Sequence, residues 1–466
     1  MKPTSKPVSL WECAAFLYLF APVVVFFATF VRWEIAALAV PLLLSSLVSI
    51  IRRTSFEMPA GQGKAAMWYA VLSASCLVIG GAGGFAYIPS DWEKHFSILN
   101  LLLQNNWPPT ITSAAGDVEV LRYSLGWYLV PALVAKTVGA HNVDLFSAGW
   151  SLIGLTIFFS LAASFWPGKK GTIAGPLVFL AFSGMDYIGT QLTGHMAAPH
   201  HYEWWPGWMQ YSANLTSLFW VPQHAIAGWI AVALLMKQWE SPTAINHIGV
   251  LLFAVLLWSP FITVGLLPIY LVLAMRHGLR PMALGWWPIA SAVVIGLPLV
   301  VYLTSGTAAL IKGLIWDLPC IGSAPASLCF SPKSYATVMM LEVLPFVVLA
   351  WIAERRFRAL LAAVAVTLAI LPFYRLGLYN DLTMRASAPA LAILAILVAR
   401  TVMSSSPLIA LPLAAALMVG AITPFGQLQR AFTEPQTVSS QDQFGNDLLG
   451  TYRQQYFAPY RPGIFR

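Results

Sequence analysis

The sequence predicts an all-α, polytopic helical membrane protein with about 13 transmembrane helices, and three observations carry that expectation. Hydrophobic residues make up 58% of the 466 positions and charged residues only 9%, where a soluble domain is roughly 45–50% apolar. The mean hydropathy is +0.72. Apolar runs recur from near Leu10 to near Thr423, and a helix is the structure that lets such a run satisfy its backbone inside lipid. One continuous membrane domain over 1–422 leaves no room for a separate soluble domain, and residues 423–466 read as a polar tail outside the cytoplasm.

Taken in order, the spans fall at roughly 8–30, 35–51, 66–87, 144–166, 172–190, 218–237, 248–260, 261–275, 283–304, 336–353, 359–373, 385–400 and 406–422. The first is long and closely followed by the second, so it reads as a retained helix rather than a cleaved signal. Around Trp258-Ser259-Pro260 a hairpin of half-length helices is expected, broken at the proline. Segment Tyr123–Val138 is apolar too. Its Tyr123, Trp127 and Tyr128 suit a helix lying at the outer interface, and that placement is needed for charge consistency. With it, Lys2, Lys6, Arg52, Arg53, Lys64, Lys169, Lys170, Lys237, Arg276, Arg280, Arg355, Arg356, Arg358 and Arg400 share one side, which the positive-inside rule makes cytoplasmic together with the N-terminus.

The net charge of +8 is thus distributed along membrane-flanking loops without a long basic run, and no nucleic-acid partner is expected. The long loops, about 88–143, 191–217, 305–335 and 374–384, gather on the outer face. Six of the eight histidines lie in or beside them (His95, His141, His195, His200, His201 and His224). Four cysteines make no disulfide framework. Cys13 and Cys76 sit in apolar spans as small hydrophobes, whereas Cys320 and Cys329 would be bridged if their loop faces an oxidising compartment.

Chemistry concentrates in Ser90-Asp91-Trp92-Glu93-Lys94-His95, a burst of ionisable groups where the chain first leaves the membrane. Ser90 can cap a helix beginning at Asp91, and Phe96–Leu103 suits an interfacial helix. A partly desolvated Asp91 there can act as a general base toward a hydroxyl; equally, Asp91 and Glu93 can serve the helix dipole, with Lys94 and His95 on a solvated face. Trp204, Trp205 and Trp208 fit either a sugar-stacking wall or an interfacial aromatic belt. His195, His200, His201 and Glu203 are donors suited to a divalent ion, but their spacing fits no zinc pattern and no metal site is assigned. Glu342 is a carboxylate at membrane depth and motivates a rival reading as a proton-coupled transporter or flippase, although no inverted repeat accompanies it. Asn214-Leu215-Thr216 matches a glycosylation sequon.

An early outer loop opening on Asp91, an amphipathic helix after it, and a Tyr-x-x-x-Trp-Tyr-Leu-x-Pro-Ala-Leu segment from Tyr123 to Leu133 together resemble the GT-C superfamily of membrane glycosyltransferases. The broken apolar stretch 248–280 and the Arg385-to-Pro389 element before a span are similar to features of the same family. The resemblance implies a GT-C-like architecture with outer-face interfacial helices in the first long loop. It also implies transfer of a sugar from a polyprenyl-phosphate donor to a glycan, lipid or protein acceptor. Carried onto this chain, Asp91 would be the catalytic base and Glu93 a second acid, with Asp186 or Asp381 as alternatives for that place.

Such a reaction needs a cationic clamp on the leaving phosphate. Arg385 is the first candidate, since a guanidinium can bind phosphate bidentately, and Lys94, His95, Arg122 and Arg375 are further outer-face cations. Arg385 could instead snorkel or pair with Asp381. Trp204, Trp205 and His201 are the candidates for acceptor or sugar contact. The expected location is a bacterial cell membrane, with the active site outside the cytoplasm; a lipid-linked oligosaccharide ligase or polymerase is the alternative within the same chemistry.

Overall fold

A computed structural model describes residues 6–112, 116–305, 311–321, 328–434, 456–460 and 465. The protein is a helical membrane protein. Among the described residues nine helices are long and apolar enough to cross: Leu10–Thr29, Trp33–Ile51, Asp144–Phe165, Pro260–His277, Trp286–Thr304, Pro332–Ala353, Arg355–Phe373, Asp381–Ser404 and Pro407–Thr433. The other apolar runs behave differently, for physical reasons. The stretch 172–190 divides into Gly168–Leu180 and Asp186–Thr193, and 13 residues of helix rise only about 20 Å against a hydrocarbon core of about 30 Å. Helix Pro222–Glu240 is buried along nearly its whole length, so protein rather than lipid surrounds it.

The break at Ser259 is present. Its backbone is extended, its hydroxyl accepts from the Ile262 amide, and Pro260 opens the next helix where its missing N–H costs nothing. Helices Ile248–Trp258 and Pro260–His277 then pack against each other as a hairpin.

The helix ends sort into two groups. At one end Val8 pairs with Thr54, Ser46 and Ser49 contact His247, Arg276 lies over the Trp239 ring, Arg356 bonds Glu240, and Arg400 bonds Glu354 and the Phe165 carbonyl. These are the segments whose basic residues the charge pattern placed together. Glu12 belongs to this group: it closes a capping box with Ser9 and accepts from Gln238 and Thr243 at 3.0 and 2.6 Å.

The other end carries the long loops and two small sheets. Thr110–Thr112, Val118–Leu121 and Phe457–Pro459 form an antiparallel trio. Lys312–Leu314 pairs with Tyr374–Leu376, which ties the 305–335 loop to the 374–384 loop. Cys320 and Cys329 are joined by a disulfide in this region.

Several sequence expectations need correction. Tyr123–Val138 does not lie exposed at an interface; helix Gly126–Thr137 turns Trp127, Tyr128 and Leu129 inward and packs among Leu10–Thr29, Asp91–Gln104 and Asp144–Ala162. Gly126 lets it approach Trp258 so closely that a Cβ would collide with the ring. Helix Asp91–Gln104 is likewise buried along Trp92, Phe96, Ile98, Leu99 and Leu102, and the Ser90 hydroxyl makes no capping bond. The tail does not begin at 423, because helix Ile422–Thr433 continues the last span. Much of the tail, residues 435–455, lies outside the described residues, while 456–460 return to the first loop, with Arg122 N donating to the Tyr456 carbonyl at 2.7 Å.

Candidate functional site

A cavity of about 350 Å³ opens at the loop-bearing end. Three separate parts of the chain wall it: Asp91 at the start of its helix, the 197–221 segment, and Tyr379 to Arg385. The first part is placed by Trp92, whose indole donates to the Phe219 carbonyl at 2.8 Å and pins the first turn against the second part. The third is placed by Asn380, which adopts the left-handed conformation at φ 56° and caps the turn through Thr383. Helix continues from there, and Arg385 emerges at the cavity wall.

One end of the cavity is charged. Lys94 Nζ lies 2.6 Å from Asp91 Oδ2, and Arg385 Nη2 lies 2.9 Å from Asp381 Oδ1. Burial would raise the Asp91 pKa, but the field and hydrogen bond of Lys94, with Arg385 further off, outweigh it and hold the carboxyl below its ordinary value. Asp91 is therefore an anion at neutral pH. Arg385 Nε is buried and has no hydrogen-bond partner among the described residues, so the guanidinium keeps a donor that Asp381 does not take.

The opposite end is neutral. Trp204 meets the Tyr379 ring edge-on at 6.0 Å, and Trp220 is fixed by its indole bond to Gln427 at 3.0 Å. His201 sits between Arg430 (Nη1 to Nδ1, 3.4 Å) and Glu203 (Nε2 to Oε2, 3.9 Å). Since Arg430 can only donate, Nδ1 accepts and Nε2 carries the proton. Burial and the Arg430 charge lower the His201 pKa to about 4, so the ring is neutral. Glu203, buried behind it, accepts from Gln210 Nε2 and the Ala213 amide at 2.7 Å each. Burial, then the Asp186 carboxyl, raises Glu203 to about 8. Thr216 lines the cavity as well.

Of the residues singled out in the sequence, Asp91, Arg385, Asp381, Trp204 and His201 therefore share one cavity, with Lys94 one bond behind Asp91. Others do not reach it. Glu93 is half-buried and lines no part of it. His95 cannot serve as a cation: its Nε2 donates to the Trp220 carbonyl at 3.1 Å, its Nδ1 accepts from Tyr128 at 2.7 Å, and burial followed by Lys94 lowers its pKa to about 3. Arg375 is buried, and spends its guanidinium on the carbonyls of Pro319 and Leu378 at 2.7 Å each and Gly377 at 3.4 Å. Arg122 donates to the Leu303 carbonyl at 3.2 Å, away from the cavity. Trp205 turns the other way from Trp204 and donates to Glu342 Oε1 at 2.6 Å. Trp208 donates to Ser334 at 2.7 Å and is buried, so neither indole is part of an interfacial belt.

Asp186 is buried away from the cavity, bonded to Ser183 and Thr423. Asn214 is buried with its amide on the Phe179 carbonyl at 2.8 Å, which makes the sequon inaccessible to glycosylation in the folded chain. His195 contacts the Trp204 carbonyl and His200 the Tyr202 hydroxyl; among the described residues no group of three or more His, Cys, Asp or Glu could hold a metal ion. Sequence reasoning missed Trp220, Tyr379, Gln210, Thr216 and Arg430. The polar run from Gln210 to Ser217 was the available signal for two of them, Gln210 and Thr216.

No family model matches this chain, and no curated protein matches it. What fold and site define together is a class, a helical membrane protein with a polar, aromatic-walled cavity at one end of the bundle.

Proposed function

We propose that this protein is a membrane glycosyltransferase of the GT-C type, moving a sugar from a polyprenyl-phosphate donor to an acceptor hydroxyl. The observation that carries the reading is the meeting of the Asp91 carboxylate and the Arg385 guanidinium, about 290 residues apart in sequence, in one cavity with aromatic walls. In this reading the donor phosphate takes the guanidinium donors of Arg385 that Asp381 leaves over. The sugar ring packs on Trp204, Trp220 and Tyr379, while His201, Gln210, Ser212 and Thr216 offer hydrogen bonds to its hydroxyls. Asp91 accepts the acceptor's proton as the new bond to the anomeric carbon forms; the old carbon–oxygen bond breaks and polyprenyl phosphate leaves with its electron pair, its charge held by Arg385.

The cavity end is assigned to the extracytoplasmic face of a cell membrane. Support for that comes from the basic residues gathered at the opposite end and from the Cys320–Cys329 disulfide, a bond that persists in oxidising compartments. The test uses the purified protein with a labelled polyprenyl-phosphate sugar and an acceptor. Asp91→Asn is expected to bind donor and stay folded while losing transfer; transfer at the native rate would end the reading.

A further inference from the structure

Behind the cavity's aromatic wall lies a pair of carboxyls that no cation among the described residues neutralises. Asp186 Oδ2 accepts from the Ser183 and Thr423 hydroxyls at 2.6 and 2.9 Å, and Oδ1 has no donor. Glu342 Oε1 accepts from the Trp205 indole at 2.6 Å, and Oε2 has no donor. Both side chains are buried, and each carboxyl feels the other's charge. The backbone is shaped for the approach: Glu342 stands on a π-helical turn, Met339–Val343, a feature frequent at functional sites, and Gly184 leaves room for its carboxyl where a Cβ would strike it.

Two carboxylates in an apolar interior cannot both be ionised without a cation. Among the described residues, the groups facing the pair supply none. Arg430, on helix Ile422–Thr433, is bonded to Glu434 and His201. Tyr211 and Tyr335 donate to the carbonyls of Leu368 and Ala369, Tyr187 packs on Tyr202, and Glu203 is itself an acid. One proton held between the two carboxyls gives each orphaned oxygen a partner.

We propose that Asp186 and Glu342 together bind a single proton, and that the protonated pair is a clamp which, through Trp205, positions the Trp204 wall of the cavity. The shared proton itself does not depend on which reaction the cavity carries out. When the chain unfolds above the ordinary carboxylate range the shared proton is released, so the clamp's stabilisation declines as pH rises.

The full chain in detergent tests it, in a Glu203→Gln background that removes the neighbouring titration. Between about pH 6 and about pH 9 the melting temperature of that background falls, and adding Glu342→Gln, whose amide can donate to Asp186 without a proton, removes at least about half of the slope. The infrared C=O band of a neutral carboxylic acid is present at neutral pH and diminishes in both Glu342→Gln and Asp186→Asn. An unchanged slope together with an unchanged band overturns the proposal. So does stabilisation by sodium ions that is lost in Glu342→Gln, since the pair would then hold a metal cation in place of the proton.

Discussion

Two carboxylate settings lie on either side of the Trp204–Trp205 corner, and they are opposites. Asp91 faces a cavity, has Lys94 at 2.6 Å and feels Arg385. Asp186 and Glu342 face each other in a dry interior with only hydroxyls and an indole as donors. The same functional group is thus kept charged in one place and neutralised by a shared proton in the other. What decides between them is the presence of a cation more than burial, since Asp91 is itself substantially desolvated.

The sharpest way to break the contrast is to remove the charged member. Asp91→Asn is expected to reduce transfer by about 10²–10⁴-fold, the usual worth of a positioned base, with donor binding retained in a filter or fluorescence assay. Arg385→Lys comes next: losing the planar fork while keeping the charge should weaken donor binding by about tenfold, whereas acceptor KM stays near native. On the neutral side, Trp205→Phe removes the indole donor from Glu342 and leaves a buried acceptor unpaired, for a loss of about 1–3 kcal/mol readable as a lower melting temperature at every pH.

The smallest effect at any single pH, but the most diagnostic in shape, belongs to Glu203→Gln. The folded-state pKa of Glu203, about 8, is raised above its ordinary value of 4.5. Its contribution is therefore complete below about pH 4.5 and is lost as pH climbs through about 8. Glu203→Gln should flatten the melting-temperature profile across that window; a profile as steep as the native one would mean that Glu203 is ionised in the fold.

Much of the architecture was legible in the apolar runs, because a run of about 20 residues has few alternatives to a helix in lipid, and the arginine and lysine positions grouped the helix ends correctly. The hidden parts share a cause. Trp127 and Tyr128 read equally as interfacial or core residues, and what chose the core was His95, 33 positions earlier, together with the glycine that admits Trp258. Lys94 and His95 are adjacent in sequence, yet one turns to Asp91 and the other to Tyr128. Arg375 and Arg385 belong to the same loop region, but only the first is consumed by backbone carbonyls, Leu378 of its own loop and Pro319 of the neighbouring one. Local pattern names the chemistry a residue can perform; the partner that claims it comes from elsewhere in the chain.

The strand at Phe457–Pro459 has a practical corollary. It completes the small sheet beneath the segment that leads from Asp91's helix toward Arg122, and Phe465 bridges to Val31 between the first two spans. Cutting the chain before Tyr456 would unstitch two junctions several hundred positions upstream, so an affinity tag or fluorescent fusion for purifying this protein belongs at the amino end.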